Sequence, residues 1–298
     1  YQKMLPLMPQ ALEAFDLTGY DLILSSEAGP AKGIIPPPEA VHICYCHSPM
    51  RYIWDLYPQY YRKSGWLARL AMRLTSSWLR AWDVTTSARV DHFIANSAFV
   101  AKRIEKFYRR EATVIHPPVS RFTLSDAPED YYLCAGQITP YKRIDVAIEA
   151  CTRLNRRLVV IGSGATKDLR RLAGPTVTFL DKVDDETMAR HFRNCRALVF
   201  PGLEDFGIVP LEVMASGRPV LAYRRGGAVE TVVEGKTGVF FNEQTADSLI
   251  DAINRFETGL DDFDPAVIAS HAQDWNRDVF KSRLQTFIAS RLPQAGPA

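Results

Sequence analysis

Residues 197–223 constrain the fold of this 298-residue chain more than any other stretch. The apolar run Ala197-Leu-Val-Phe200 enters a loop holding Gly202, Glu204 and Gly207. A short helix is predicted from about Gly207 to Gly217, and Pro219 opens the next apolar run. Strand, glycine-bearing loop, helix and strand make a parallel βαβ unit, whose sheet needs helices on both faces. The same alternation runs through the chain. Strands are predicted near 21–25, 41–46, 91–95 and 112–116, with a long helix over 65–89 between the second and third. Six more follow near 131–135, 157–162, 177–180, 197–201, 219–223 and 237–241, each trailed by a helix. The expected class is α/β, with two Rossmann-like doubly wound domains. Pro117-Pro118 and residues 125–128 break the pattern and read as a linker. Helices near 265–271 and 276–291 close the chain, and the Pro/Gly-containing tail 293–298 is expected to be disordered.

The 201–217 loop and helix also restrict the ligand. Helix N-terminal amides collect anions, and glycine lets a ligand approach the backbone. Glu204 and Glu212 stand eight residues apart, one before the helix and one on its second turn. Two such acceptors flanking an anion site suit hydroxylated rings joined by phosphates, the chemistry of a nucleotide-sugar. Lys142 and Arg143 follow strand 131–135 at its C-terminal end, where open α/β sheets bind ligands, and offer charge for a departing phosphate. Two rival phosphate motifs fail. Gly235-Lys-Thr lacks the earlier glycine of a P-loop, since position 230 is Glu. Gly162-Ser-Gly164 lacks the third glycine of the dinucleotide fingerprint, since position 167 is Lys, which disfavours an oxidoreductase.

Charge is uneven although the net is only +2. Residues 51–110 carry 12 Lys/Arg against 4 Asp/Glu, interleaved with Tyr52, Trp54, Tyr57, Tyr60, Tyr61, Trp66, Trp78 and Trp82. That mixture suits either an anionic membrane surface or a solvated basic face over a core stripe. No nucleic-acid recognition motif accompanies it, so no nucleic-acid partner is expected. No run of about 18 apolar residues is present, and the N-terminus has no basic-then-apolar pattern. The expected location is the cytoplasm, peripheral at the inner face of the cell membrane. Cys44, Cys46, Cys134, Cys151 and Cys195 are odd in number and sit mostly in apolar strand or helix contexts, which argues against disulfides. His42, Cys44 and Cys46 share one face of a strand that reads as buried, so a metal site is disfavoured there.

As a set, these motifs resemble the retaining glycosyltransferases of the GT-B fold, family 4, group 1, whose signature is a Glu, seven residues, then a Glu. Gly136-Gln-Ile-Thr-Pro-Tyr-Lys142-Arg143, Gly162-Ser-Gly164, Phe179-Leu-Asp-Lys-Val183 and Gly226-Gly227-Ala-Val-Glu230 fall in the family's order. Cys46-His47-Ser-Pro-Met-Arg51-Tyr-Ile-Trp54-Asp55, Asn96-Ser97 and His116-Pro117-Pro118-Val119 resemble its mannosyltransferase-like branch. The resemblance implies an acceptor-side domain over 1–120, a donor-binding domain over 121–275 and a return helix with tail over 276–298, with the donor cleft between the domains. It implies transfer of a hexose, mannose from GDP-mannose, to a polysaccharide or lipid-linked glycan. By resemblance, His47 and Glu204 are the catalytic residues. Gly136, Gln137, Lys142, Arg143, Gly162, Val183, Phe206, Gly207, Ile208 and Glu212 hold the donor, with Glu212 on the ribose and Val183 at the base through backbone atoms. Arg51, Trp54 and Asp55 are acceptor-side candidates. No cofactor or metal is expected: the one Asp-x-Asp, Asp262-Phe-Asp264, lies between late helices, far from any strand end. The family places Arg where this chain has Gln137, which removes a charge from the phosphate site. The chain opens on Tyr1 at what looks like a later strand, so the resemblance implies that roughly 80 residues of the first domain are missing. The alternative expectation is an incomplete fragment that binds nucleotide-sugar without transferring it.

Overall fold

The computed structural model describes residues 7–119, 124 and 128–292, and the chain divides into two units. Residues 1–116 and 281–298 form the first, and residues 117–280 the second. Three expectations lie outside the described residues: the linker residues 125–127, the domain boundary at 120/121 and the tail 293–298.

The first unit holds four parallel strands in the order β1 (Leu22–Glu27), β2 (Val41–Cys46), β3 (His92–Ala95) and β4 (Ala112–Val114). Glu27 stands beside Cys46 at the C-terminal end of the β1–β2 pair. Helices α1 (Met8–Glu13), α2 (Tyr57–Lys63), α3 (Trp66–Thr86) and α4 (Ala98–Tyr108) connect or flank the strands. The long helix expected over 65–89 is α3 followed by a short 3₁₀ turn at Ser87–Arg89. The helix α4 starts at Ser97, whose Oγ accepts the Val100 N–H at 3.0 Å, an N-cap worth about 1 kcal/mol. It packs Val100, Ile104 and Tyr108 onto Cys44, Cys46, Phe93 and Ala95 of the sheet.

The second unit is a six-stranded parallel sheet. Its strands are β5 (Tyr132–Ala135), β6 (Leu158–Ile161), β7 (Val177–Leu180), β8 (Ala197–Phe200), β9 (Val220–Tyr223) and β10 (Gly238–Phe241). Spatially they run β10-β9-β8-β5-β6-β7, the order of dinucleotide-binding sheets. Strands β6, β8, β9 and β10 are buried throughout, which is why they read as continuous apolar runs without alternation. Helices α5 (Ile144–Arg153), α6 (Lys167–Leu172), α7 (Asp185–Asn194), α8 (Ile208–Ala215), α9 (Ala228–Thr231), α10 (Ala246–Thr258) and α11 (Pro265–Ala272) complete it. One core layer gathers α8 and α11 side chains such as Leu211, Met214 and Ile268, and the other gathers Ile148, Leu249 and Phe256 from α5 and α10. The last helix, α12 (Arg277–Ala289), ends within the first unit, where the Phe287 ring meets His92 edge-on at 6.3 Å.

Candidate functional site

In the second unit the direction of sheet growth reverses between β5 and β8. Parallel strands there leave a crevice at their C-terminal ends, because successive connections depart to opposite sides. Four loops meet at this edge, and close backbone approaches join them. A Cβ on Gly162 would lie 2.0 Å from the Gly136 carbonyl oxygen, and the Gly162 φ is +142°, so only glycine fits between the β5 and β6 loops. A Cβ on Gly202 would lie 2.9 Å from Lys142 Cα, so the loops after β5 and β8 also touch. The result is a side-chain contact: Lys142 Nζ lies 3.1 Å from Glu204 Oε1, with both side chains only 18% exposed. The Gly227 N–H donates to the Glu204 carbonyl at 3.0 Å, and a Cβ there would lie 2.3 Å from Phe206 backbone atoms. The loop carrying Glu204 is therefore clamped from the β9 side.

The other donor-site candidates distribute around this contact. Phe206 is buried in the core and anchors the loop, Gly207 opens α8 with φ +92°, and Ile208 at its first turn is exposed. Gln137 is exposed just past β5. Val183 is half-buried after β7 and packs against the core layer under α8. Glu212, on the second turn of α8, is half-buried; burial raises its carboxyl pKa, and the Asp185 carboxylate adds to the rise. Asp185 opens α7, two residues after Val183. Arg143 is turned elsewhere: its guanidinium grips Asp145 at 2.9–3.1 Å, in the first turn of its own helix. Among the described residues, no three His, Cys, Asp or Glu side chains are grouped to hold a metal ion.

In the first unit His47 sits one residue past β2, half-buried. Its Nε2 is 2.9 Å from Ser26 Oγ, and its backbone N–H donates to the Glu27 carbonyl at 2.6 Å. Burial lowers its pKa, which favours the neutral imidazole. Trp54 points into structure: Nε1 donates to Asp83 Oδ2 at 2.7 Å and the indole stacks on Phe107 at 4.7 Å. Asp55 accepts from Arg103 at 2.6 Å and lies 3.7 Å from Arg51. All three acceptor-side candidates are thus engaged within the first unit: Trp54 with Asp83, and Asp55 with both Arg103 and Arg51.

Under His47 lies a buried charge network that the sequence reading did not single out. Lys32, wholly buried, pairs with Asp83 and sits 3.6 Å from Glu27 Oε1. The Lys32 N–H donates to Glu27 Oε2 at 2.9 Å, and Tyr108 donates to Asp83 at 3.0 Å. Burial pushes the Glu27 carboxyl up to about 7, against the pull of Lys32. Burial alone would depress Lys32, yet the Glu27 and Asp83 carboxylates lift it above the usual lysine range. The one signal in the sequence was placement: Lys32 in Ala-Lys-Gly-Ile-Ile and Asp83 in Ala-Trp-Asp-Val are charges set among apolar neighbours.

Two family descriptions match the chain: Glycosyltransferase Family 4 over residues 1–121 and Glycosyl transferases group 1 over residues 119–262. A D-inositol 3-phosphate glycosyltransferase of Streptomyces avermitilis is 34% identical over 189 residues, covering 51% of this chain and 41% of the relative. A GDP-mannose-dependent alpha-(1-6)-phosphatidylinositol monomannoside mannosyltransferase of Mycobacterium tuberculosis is 30% identical over 193 residues, covering 56% and 49%. The chain spans about half the length of the relatives it matches. Among solved structures, a sucrose-phosphate synthase from Thermosynechococcus elongatus superposes with a TM-score of 0.73 at 19% identity, over 97% of this chain and 78% of that one. Anabaena HepE in complex with UDP-glucose does so with a TM-score of 0.71 at 18% identity, over 96% and 82%.

Proposed function

Since the chain joins a Glycosyltransferase Family 4 segment to a group 1 segment on a GT-B fold, we propose that it transfers a hexose from a nucleotide-sugar, with retention and without a metal. The observation that carries this reading is the Lys142–Glu204 contact at the β5–β8 switch point. A cation there supports neutralisation of a leaving diphosphate, and the carboxylate supports an acceptor role toward sugar hydroxyls. Glu212 binds the ribose hydroxyls and the backbone around Val183 meets the base. The N–H groups of Gly207 and Ile208 face the phosphates.

In the proposed reaction the acceptor hydroxyl attacks the anomeric carbon on the face from which the diphosphate departs. The C–O bond to phosphate breaks, the new glycosidic bond forms, and the hydroxyl proton passes to the departing phosphate oxygen. Lys142 stabilises the charge left on that phosphate. His47, neutral through burial, orients a sugar hydroxyl through its ring nitrogen. Mannose from GDP-mannose is the proposed donor, in line with the mannosyltransferase relative, and a polysaccharide or lipid-linked glycan is the proposed acceptor. We place the protein in the cytoplasm, at the inner face of the cell membrane, with the basic and aromatic 51–110 region turned to that surface.

Isothermal titration with GDP, UDP and ADP, each with and without EDTA, tests the donor reading. GDP is expected to bind tightest and equally well with the chelator present. A strict metal requirement would overturn the metal-free reading, and no affinity for any diphosphate would overturn the donor site itself.

A further inference from the structure

We infer that the solvent face of α3, with the adjoining α2–α3 corner, is a docking surface for an anionic lipid bilayer. This deepens the surface-acceptor reading above and rests on it. The helix α3 is apolar on two opposite sides. One side buries Leu79 and Trp82 against Met50 and Ile53. The other presents Trp66, Leu67, Leu70, Leu74 and Trp78 to solvent, with Trp66 and Leu74 more than 70% exposed. The spacing 67, 70, 74, 78 follows the i, i+3, i+4 rule, so these side chains form one stripe about three turns long. A helix with a second apolar face needs a second apolar environment.

Charge identifies that environment. From residue 56 to residue 82 the sequence holds no Asp or Glu, while it holds Arg62, Lys63, Arg69, Arg73 and Arg80. Arg62, Lys63, Arg69 and Arg73 are exposed beside the apolar stripe. Arg69 donates to the Tyr61 and Arg62 carbonyls at 3.0 and 2.6 Å, which locks the corner without neutralising its charge. A second copy of the chain meeting this face about a twofold axis would set arginine against arginine. Anionic headgroups instead match the basic flank, and the interfacial zone accepts Trp and Leu beside it. Among the described residues no helix is long and apolar enough to cross a membrane, so α3 lies along the surface.

Sedimentation with phosphatidylcholine vesicles, with and without phosphatidylglycerol, tests the inference. Binding is expected only with phosphatidylglycerol present and weakens as salt rises. The Leu70→Ser/Leu74→Ser double variant is expected to lose at least about tenfold in vesicle affinity. Its thermal midpoint and its nucleotide affinity in lipid-free buffer should not change, because both side chains face water. Neutralising Arg62, Lys63 and Arg73 to Gln is expected to cost about fivefold per residue. Equal vesicle binding by the wild type and the serine variant would overturn the inference. So would a wild-type dimer in lipid-free solution that the same variant dissolves, since the face would then be a contact between copies. Loss of nucleotide binding in lipid-free buffer counts against the donor site and leaves the vesicle result intact.

Discussion

Lys142 reaches its place because its neighbours are small. A Cβ on Gly136 would lie 3.1 Å from its ammonium, and one on Gly202 would lie 2.9 Å from its Cα, so two glycines let the side chain cross to Glu204. Arg143, one residue on, is paired with Asp145 in the first turn of its own helix. The roles proposed for Lys142 and Glu212 predict separable effects. Lys142→Ala should weaken GDP binding by about 2–3 kcal/mol while hardly changing guanosine binding, because it acts on the phosphates alone. Glu212→Ala should weaken both by about 1–3 kcal/mol, because the ribose is common to them. Equal losses for GDP and guanosine in the Lys142 variant, measured by titration calorimetry, would contradict its assignment.

At the scale of elements, the C-terminal edge around β5 and β8 is a set of loops pressed together at glycines. The closest approach is between the loops after β5 and β6, at Gly162 and the Gly136 carbonyl. Gly162→Ala must move that carbonyl and also hold alanine at a positive φ, so it should cost more than about 2 kcal/mol of stability in denaturant melts. Gly235→Ala is a control for a positive φ without a clash: its φ is +72°, nearer the left-handed region that alanine can adopt, and nothing lies within 4 Å of the added Cβ, so it should cost less than Gly162→Ala. Nucleotide affinity should fall in the Gly162 variant and stay in the control. The helix α3 shows the converse case, an element with Trp66, Leu67, Leu70 and Leu74 exposed on its outward face.

For the molecule as a whole, the buried Glu27–Lys32–Asp83 network ties folding to pH. The Glu27 carboxyl titrates near 7 in the fold against an ordinary 4.5. Between those values the folded state holds a proton that the unfolded chain has released, so stability falls as pH rises through the window. The stabilising contribution is complete below 4.5 and gone above about 7. Thermal melts of the wild type and Glu27→Gln should show this as a difference: wild-type stability declines relative to the variant from pH 4.5 to 7 and runs parallel to it outside. Other carboxylates, such as Glu257 held low by its hydrogen bond from Arg156, push the opposite way and cancel in the comparison.

Periodicity and glycine placement in the sequence were enough to read every strand of both sheets, the α3 and α12 helices and the loop carrying Glu204, because each depends on a local pattern of apolar residues and breakers. The placement of Lys142 and Glu204 just past two strand ends was legible for a related reason, since each follows an apolar run that a glycine-bearing loop interrupts. What the chain's order could not reveal is where side chains meet across strands. Trp54, read as an acceptor-side candidate, is bonded to Asp83, 29 residues away, and Arg143 turns to its own helix. Lys32 and Asp83, 51 residues apart, become partners only once the 3₁₀ turn Ala31–Gly33 after β1 is packed on α3. Burial then decides their chemistry, since a carboxylate removed from water titrates by its enclosure and its partner rather than by its type.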